Sequence, residues 1–210
     1  TYPTSKQDNT SPLMWASYNG NTAMVETLLS AGADPNYRRT HWKGEPDDCS
    51  ALHLACSNSH TDVVRLLCTA GVDPNSHRTT VDGKKTDTSP LMDGARNRNA
   101  TMAAILLSAG AAPNYRRTHY NGKPDDRSAL DLACEKDDLG CVRVLCDAGA
   151  DPNTGLQTCG TTSRSVVSTL VNAGADPFAV TTTTSQSVFE VLGSTEPHYT
   201  IHMDSRPSPF

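Results

Sequence analysis

The sequence predicts an all-α fold of the α-solenoid kind, a stack of helix-turn-helix units with long β-hairpin fingers between them. Three observations carry that expectation. The first is self-similarity: a shift of 39 positions brings Leu13 onto Leu52, Leu91 and Leu130, Gly32 onto Gly71, Gly110 and Gly149, and Asn36 onto Asn75, Asn114 and Asn153. One period held through four copies marks a solenoid, in which each unit buries its apolar face only against its neighbours. The second is that every copy carries the same helix start and stop signals. The third is composition: apolar residues make up 36% and aromatic residues 5% of the 210-residue chain, which suits a thin core of Ala, Leu and Val between helix layers.

Within each copy the elements follow in a fixed order. Ser11, Ser50, Ser89 and Ser128 stand where an N-cap hydroxyl would satisfy free backbone N–H groups. Pro12 and Pro90 then take the first helical position, where the missing N–H costs nothing. A short inner helix follows (PLMWASY, ALHLACS, PLMDGAR, ALDLACE), then a turn, then an outer helix (TAMVETLLSA, TDVVRLLCTA, ATMAAILLSA, LGCVRVLCDA). The glycine column fits a left-handed helix C-cap, and the Asp-Pro-Asn of three copies begins the exit turn.

The segment SALHLACSNSHTDVVRLLCTAGVDPN resembles the ankyrin-repeat consensus: a Thr-Pro-Leu-His-like start, a Gly-His-like turn, a paired-leucine helix and a Gly-Ala-Asp-x-Asn end. The resemblance covers roughly 10–192 and recurs in register four times. It implies helix-turn-helix units joined by β-turn fingers, with protein–protein binding as the usual activity. It also implies a local hydrogen-bonding role for His53, a cytoplasmic default and no cofactor; a secreted setting stays open. Repeats fall near 10–48, 49–87, 88–126 and 127–153, with degenerate units at 154–178 and 179–193, so that 1–193 form the repeat domain. A proline-containing tail occupies 194–210.

The fingers depart from the family. Against a typical repeat of about 33 residues, the surplus falls in 37–49, 76–88 and 115–127. Arg39, Arg78 and Arg117 align there, as do Gly44, Gly83 and Gly122, and each finger is expected to be a hairpin with Gly in its turn. Side by side, the three would make a ribbon along one edge of the stack. The stretches 28–48 and 106–126 differ at only four positions, so the unit of duplication is a pair of repeats. Trp42 and Tyr120 are expected at matching exposed tips, available for contacts, while the Arg column is expected to pair with neighbouring Asp residues.

Candidate contact residues come from two sources. Trp15 and Tyr18, three apart on one helix face, have Leu54, Asp93, Arg96 and Leu132 among their equivalents. In the family this column borders the groove, and an unpaired Asp in a core column would cost several kcal/mol, so the column is expected to be exposed. Trp15 either binds a partner or covers the core edge at the N-terminal end. The fingers contribute Tyr37, Arg38, Trp42, Tyr115, Arg116 and Tyr120. A protein partner is the expected ligand. The alternative is self-assembly, with copies joined through fingers and tail into a filament.

Other chemistry finds no support. A net charge of −5 argues against a nucleic-acid-binding face, and the longest apolar run, 102–107, is far short of the roughly 18 residues of a membrane span. No leader is visible, though the chain opens on Thr1, and the compartment stays open. There is no CxxC pair, no zinc spacing, and no nucleophile or phosphate-loop motif; His41 beside Asp47 and Asp48 reads as a solvated hairpin rather than a metal site. The seven cysteines read as small core residues, although the twelve-residue spacing of Cys56/Cys68 and Cys134/Cys146 leaves an intra-repeat disulfide conceivable. The sequons at Asn9 and Asn99 read as chance triplets unless the protein is secreted. The segment 199–203 (YTIHM) is expected to add as a strand, and 187–192 to cap the stack.

Overall fold

The computed structural model describes residues 9–43, 45–81, 84–158 and 163–176. The expected cap at 187–192, the tail strand at 199–203, Gly44, Gly83 and Cys159 lie outside the described residues.

Four repeats open the chain. The first has inner helix α1 (Pro12–Tyr18) and outer helix α2 (Thr22–Ser30). The second has α3 (Ala51–Ser57) and α4 (Thr61–Thr69), the third α5 (Pro90–Arg96) and α6 (Ala100–Ser108), and the fourth α7 (Ala129–Glu135) and α8 (Leu139–Asp147). All four expected serines cap their inner helices, accepting from the backbone N–H of Met14, His53, Met92 and Asp131. Ser128 forms a full capping box, because Asp131 returns a bond to the Ser128 backbone N–H.

Inner helices stack on inner helices and outer on outer. Leu13, Leu52, Leu91 and Leu130 line the inner layer and Val25, Val64, Ala103 and Val142 the outer, all buried. Leu67, Leu106 and Leu145 fill the space between layers, while their equivalent Leu28 stays half-buried because no described repeat precedes it. The Asn column does more than begin a turn. Asn36, Asn75, Asn114 and Asn153 each accept, through Oδ1, from a backbone N–H of the following repeat (Asp73, Ala112, Asp151 and Asp176, at 2.7–2.9 Å). Asn75 and Asn114 also donate to the Gly110 and Gly149 carbonyls. One side chain per unit thus satisfies loop backbone that the next unit leaves open.

The turn between the helices of each repeat holds one residue at positive φ: Gly20, Ser59, Arg98 and Asp137. The last three bear the steric cost of the left-handed conformation, about 1–2 kcal/mol per residue, partly offset by the greater chain entropy that glycine loses on folding. Ser59→Gly and Arg98→Gly are each expected to raise stability by about 0.5–1 kcal/mol, read as an increase in the urea midpoint at constant slope. A lower midpoint in both variants would mean that these side chains contribute more than their backbone costs.

Three hairpins project between repeats: β1 (Arg38–Trp42) with β2 (Glu45–Ser50), β3 (Arg78–Val81) with β4 (Lys84–Thr88), and β5 (His119–Tyr120) with β6 (Lys123–Pro124). The first two carry a register shift near their bases. The expected ribbon is corrected in one respect. The hairpins lie side by side but remain three separate two-stranded sheets, joined mainly by side chains. Arg38 donates to the His77 carbonyl, Arg78 reaches Asp47, Thr79 bonds Asp48, and Asp87 accepts from Tyr115 and Thr118.

The degenerate unit expected from 154 opens earlier, with inner helix α9 (Pro152–Thr158), and among the described residues no finger separates it from the fourth repeat. Pro152 takes the first helical position directly after the Asp151 loop, so the Asp-Pro-Asn that elsewhere starts a finger here starts a helix. Outer helix α10 (Arg164–Asn172) follows. Cys56, Cys68 and Cys146 are free thiols, so neither conceivable disulfide forms. Burial pushes the Cys56 thiol well up, as befits a core residue. The Asn99 amide is fully engaged: it caps α6 by accepting from Met102 N–H (2.9 Å) and donates to Thr61 Oγ1 (2.8 Å). No helix among the described residues is long and apolar enough to cross a membrane.

Candidate functional site: the inner-helix column and its fingers

At the Trp15 position the inner-helix column is exposed only at its N-terminal end, whereas at the Tyr18 position Glu135 is exposed and Arg96 half-buried as well. Trp15 is 46% exposed, whereas Leu54, Asp93 and Leu132 are buried, which corrects the expectation of an open column. From the second repeat on, each position packs against the preceding inner helix, and α1 has no such neighbour among the described residues. Asp93 tolerates burial because it is paired. Arg96, one turn along, donates to Oδ1 (2.5 Å), and Ser57 of the preceding repeat donates to Oδ2 (2.9 Å). Burial still outweighs these partners and raises the Asp93 carboxyl above the ordinary carboxylate range.

The tip aromatics do not stand out in solvent. Both are half-buried and fold back toward the inner helix of their own repeat. Trp42 meets Trp15 edge-on at 5.6 Å, and Trp15 meets Tyr18 at 6.1 Å. Tyr120, the equivalent of Trp42, accepts from Arg96 Nη1 at 2.9 Å. Under each ring lies a buried guanidinium, Arg39 at 4.5 Å from the Trp42 centroid and Arg117 at 4.4 Å from Tyr120. The two near-copies therefore present the same geometry with different chemistry. The first shows Trp15, Tyr18 and Trp42, with the Lys43 ammonium 5.7 Å from the Trp42 ring. The third shows Asp93, Arg96 and Tyr120, a polar version of the same three positions.

The expected Arg–Asp pairing is present, with a partner choice that alternates. Arg39 bonds Asp47 and Arg117 bonds Asp125, each within its own finger, at 2.8 Å. Arg78 instead crosses to Asp47 of the previous finger, which it holds through Nε and Nη2. The reason is in the repeat: Asp47 and Asp125 align with Thr86, so the middle finger has no carboxylate of its own at that place. The 39-residue alignment carried this signal, but an arginine column next to aspartates does not announce which of them is missing. Burial would raise the Asp125 carboxyl, but bonds from Arg127 and Arg117 pull it down to about 2.

The remaining finger candidates serve the fingers themselves. Tyr115 stacks on His77 at 3.7 Å and donates its hydroxyl to Asp87. Arg38 bonds Asp48, and Arg116 bonds Asp126 and reaches Asp131. Tyr37, 37% exposed, donates to the Asn9 carbonyl at 2.9 Å. His41 Nδ1 lies 3.0 Å from Thr40 Oγ1. Among the described residues, the exposed large apolar side chains are thus Trp15, Tyr18, Met24 and Tyr37, all in or next to the first repeat.

A family model of ankyrin repeats in three copies matches residues 13–117, and a single ankyrin-repeat model matches 125–155. A search of curated proteins gave no match.

Proposed function

The chain belongs to the ankyrin-repeat family, whose repeats mediate protein–protein interaction, and on that premise we propose that it is a non-enzymatic scaffold holding a protein partner along its inner helices and fingers. Trp15, Tyr18 and Trp42 anchor the contact. The observation that carries this reading is the aromatic end: Trp15 and Tyr18 each leave nearly half of their surface open, and the half-buried Trp42 braces them over the Arg39 guanidinium. Large rigid rings of this kind dominate binding energy where they meet a partner, and a surface needing them only for folding would not leave them open. Arg96 and Tyr120 extend the same face in the third repeat, whereas Leu54, Asp93 and Leu132 support it from below. In this reading 1–193 form the repeat domain and 194–210 a tail.

Trp15→Ala is expected to weaken partner capture about tenfold or more while leaving the thermal midpoint within a few degrees of the parent. Capture unchanged by Trp15→Ala and Tyr18→Ala together would defeat the reading. Light scattering on a dilution series separates a foreign partner from self-assembly, since polymers would grow with concentration.

A further inference from the structure

A second feature lies between the middle fingers and the inner helices. A cavity of about 330 Å³ is lined by Ser57 at the end of α3, Asp93 and Arg96 of α5, and finger residues including Arg78, Lys84 and Thr88. Its charge is unbalanced for a reason already visible in the repeat. Thr86 stands where the first and third fingers have Asp47 and Asp125, so Asp47 is shared between Arg39 and Arg78. Asp93 is occupied by Arg96 and Ser57. Among the lining residues, three cationic side chains, Arg78, Arg96 and Lys84, are thus set against the single carboxylate of Asp93.

Three groups there have unused donors. Lys84 is exposed and has no ion-pair or hydrogen-bond partner among the described residues. Arg78 spends Nε and Nη2 on Asp47, leaving Nη1. Thr88, 5% exposed, has a hydroxyl with no partner among the described residues, a costly state for a buried polar group. Tyr120 lines the cavity, but its ring lies over Arg117 and Arg96, not over Arg78. Trp42 and Tyr120 align with Val81 in the middle finger, and among the described residues no aromatic ring lies over Arg78.

We propose that this cavity is an oxyanion pocket that receives the carboxylate of an acidic side chain in a bound protein segment, with Lys84, Arg78 and Thr88 as its donors. The proposal rests on the scaffold reading and adds to it the chemistry of the partner: an aromatic anchor at the first repeat and an acidic residue further along. A carboxylate suits the site better than a phosphoryl dianion, because Asp93 adds a negative charge to its wall, which repels a dianion more than a monoanion.

The test is titration of the isotope-labelled protein with an acetylated hexaglutamate peptide, followed by amide and arginine Nε chemical shifts. Shifts are expected at Lys84, Thr86, Thr88, Arg78 and Arg96, fading at high salt. Lys84→Ala should weaken binding about threefold. Thr86→Asp, which restores the missing carboxylate, should weaken it about tenfold or more. Lys84→Glu, at an exposed position, gives the same charge reversal without touching the buried hydroxyl if Thr86→Asp fails to fold. Peptide shifts indifferent to these changes, or inorganic phosphate moving the same amides while the peptide does not, would overturn the proposal. The scaffold reading is judged separately: loss of capture in Trp15→Ala with no hexaglutamate binding removes the acidic pocket alone.

Discussion

Asp47→Ala is expected to lower the unfolding free energy by about 3–5 kcal/mol, the scale of breaking a buried ion pair from one side. Asp47 is 1% exposed and is the only carboxylate that Arg39 and Arg78 touch among the described residues. Its removal leaves two guanidiniums, one on each of two fingers, with side chains only 6% and 14% exposed and no counter-charge. The loss should also reach the inner-helix face, since Arg39 supports the Trp42 ring. Asp125→Ala is the internal comparison. It strands Arg117, but Arg127 retains Glu135, so a smaller loss is expected there. Thr86→Asp in the Asp47→Ala background should return part of the stability, because it places a carboxylate in the middle finger at the position of the other two. Urea unfolding of the parent, Asp47→Ala, Thr86→Asp and the variant carrying both, in a double-mutant cycle, measures this. A loss below about 1 kcal/mol for Asp47→Ala would mean that water, not the carboxylate, compensates these arginines.

Much of this architecture was legible in the sequence, because solenoid contacts repeat. The period fixed the helix pairs, the serine N-caps and the three fingers, each of which depends on residues within one unit. What stayed hidden depends on contacts between units. The sequence places Asp93 in the open because an unpaired buried carboxylate is costly; that cost holds, but the structure supplies partners that the repeat pattern does not mark. Arg96 is three residues along the same helix, within ordinary reach, but Ser57 comes from the preceding repeat. Trp42 illustrates the same limit. Its place at a hairpin end suggested a free tip, whereas the finger folds back until the ring reaches Trp15. The Asn column was read as turn chemistry alone, because its second role, bonding the next repeat's loop, spans 37 residues between Asn36 and Asp73.

Acid should destabilise the protein through the buried His53 imidazole before the Asp125 carboxylate titrates. His53 is fully buried on α3, with Nδ1 2.7 Å from the Ser50 hydroxyl. Burial pushes its pKa down to about 3, and the positive charges of Arg38, Arg78 and His77 push the same way, against a weaker opposing pull from the Ser76 backbone. The folded value is thus below the ordinary 6.5, so the folded state binds fewer protons than the unfolded chain. The contribution is fully present above about pH 6.5 and is lost as the pH falls toward 3. At roughly 1.4 kcal/mol per pH unit in that window, the loss between pH 7 and pH 5 is about 2 kcal/mol. Asp125, held near 2, loses its contribution only below about pH 4, whereas burial also lowers His77 and raises Asp93, so it is the difference between parent and His53→Gln, not the parent's profile alone, that reports the imidazole. His53→Gln should be less stable at pH 7, where it disturbs the Ser50 contact, yet lose about 2 kcal/mol less than the parent on going to pH 5. Unfolding in urea at both pH values gives the comparison, and parallel pH profiles for the two proteins would show that a proton enters this core without cost. The same experiment bears on the fingers, because Arg38 and Arg78, which hold adjacent hairpins together, are the charges that a protonated His53 would repel.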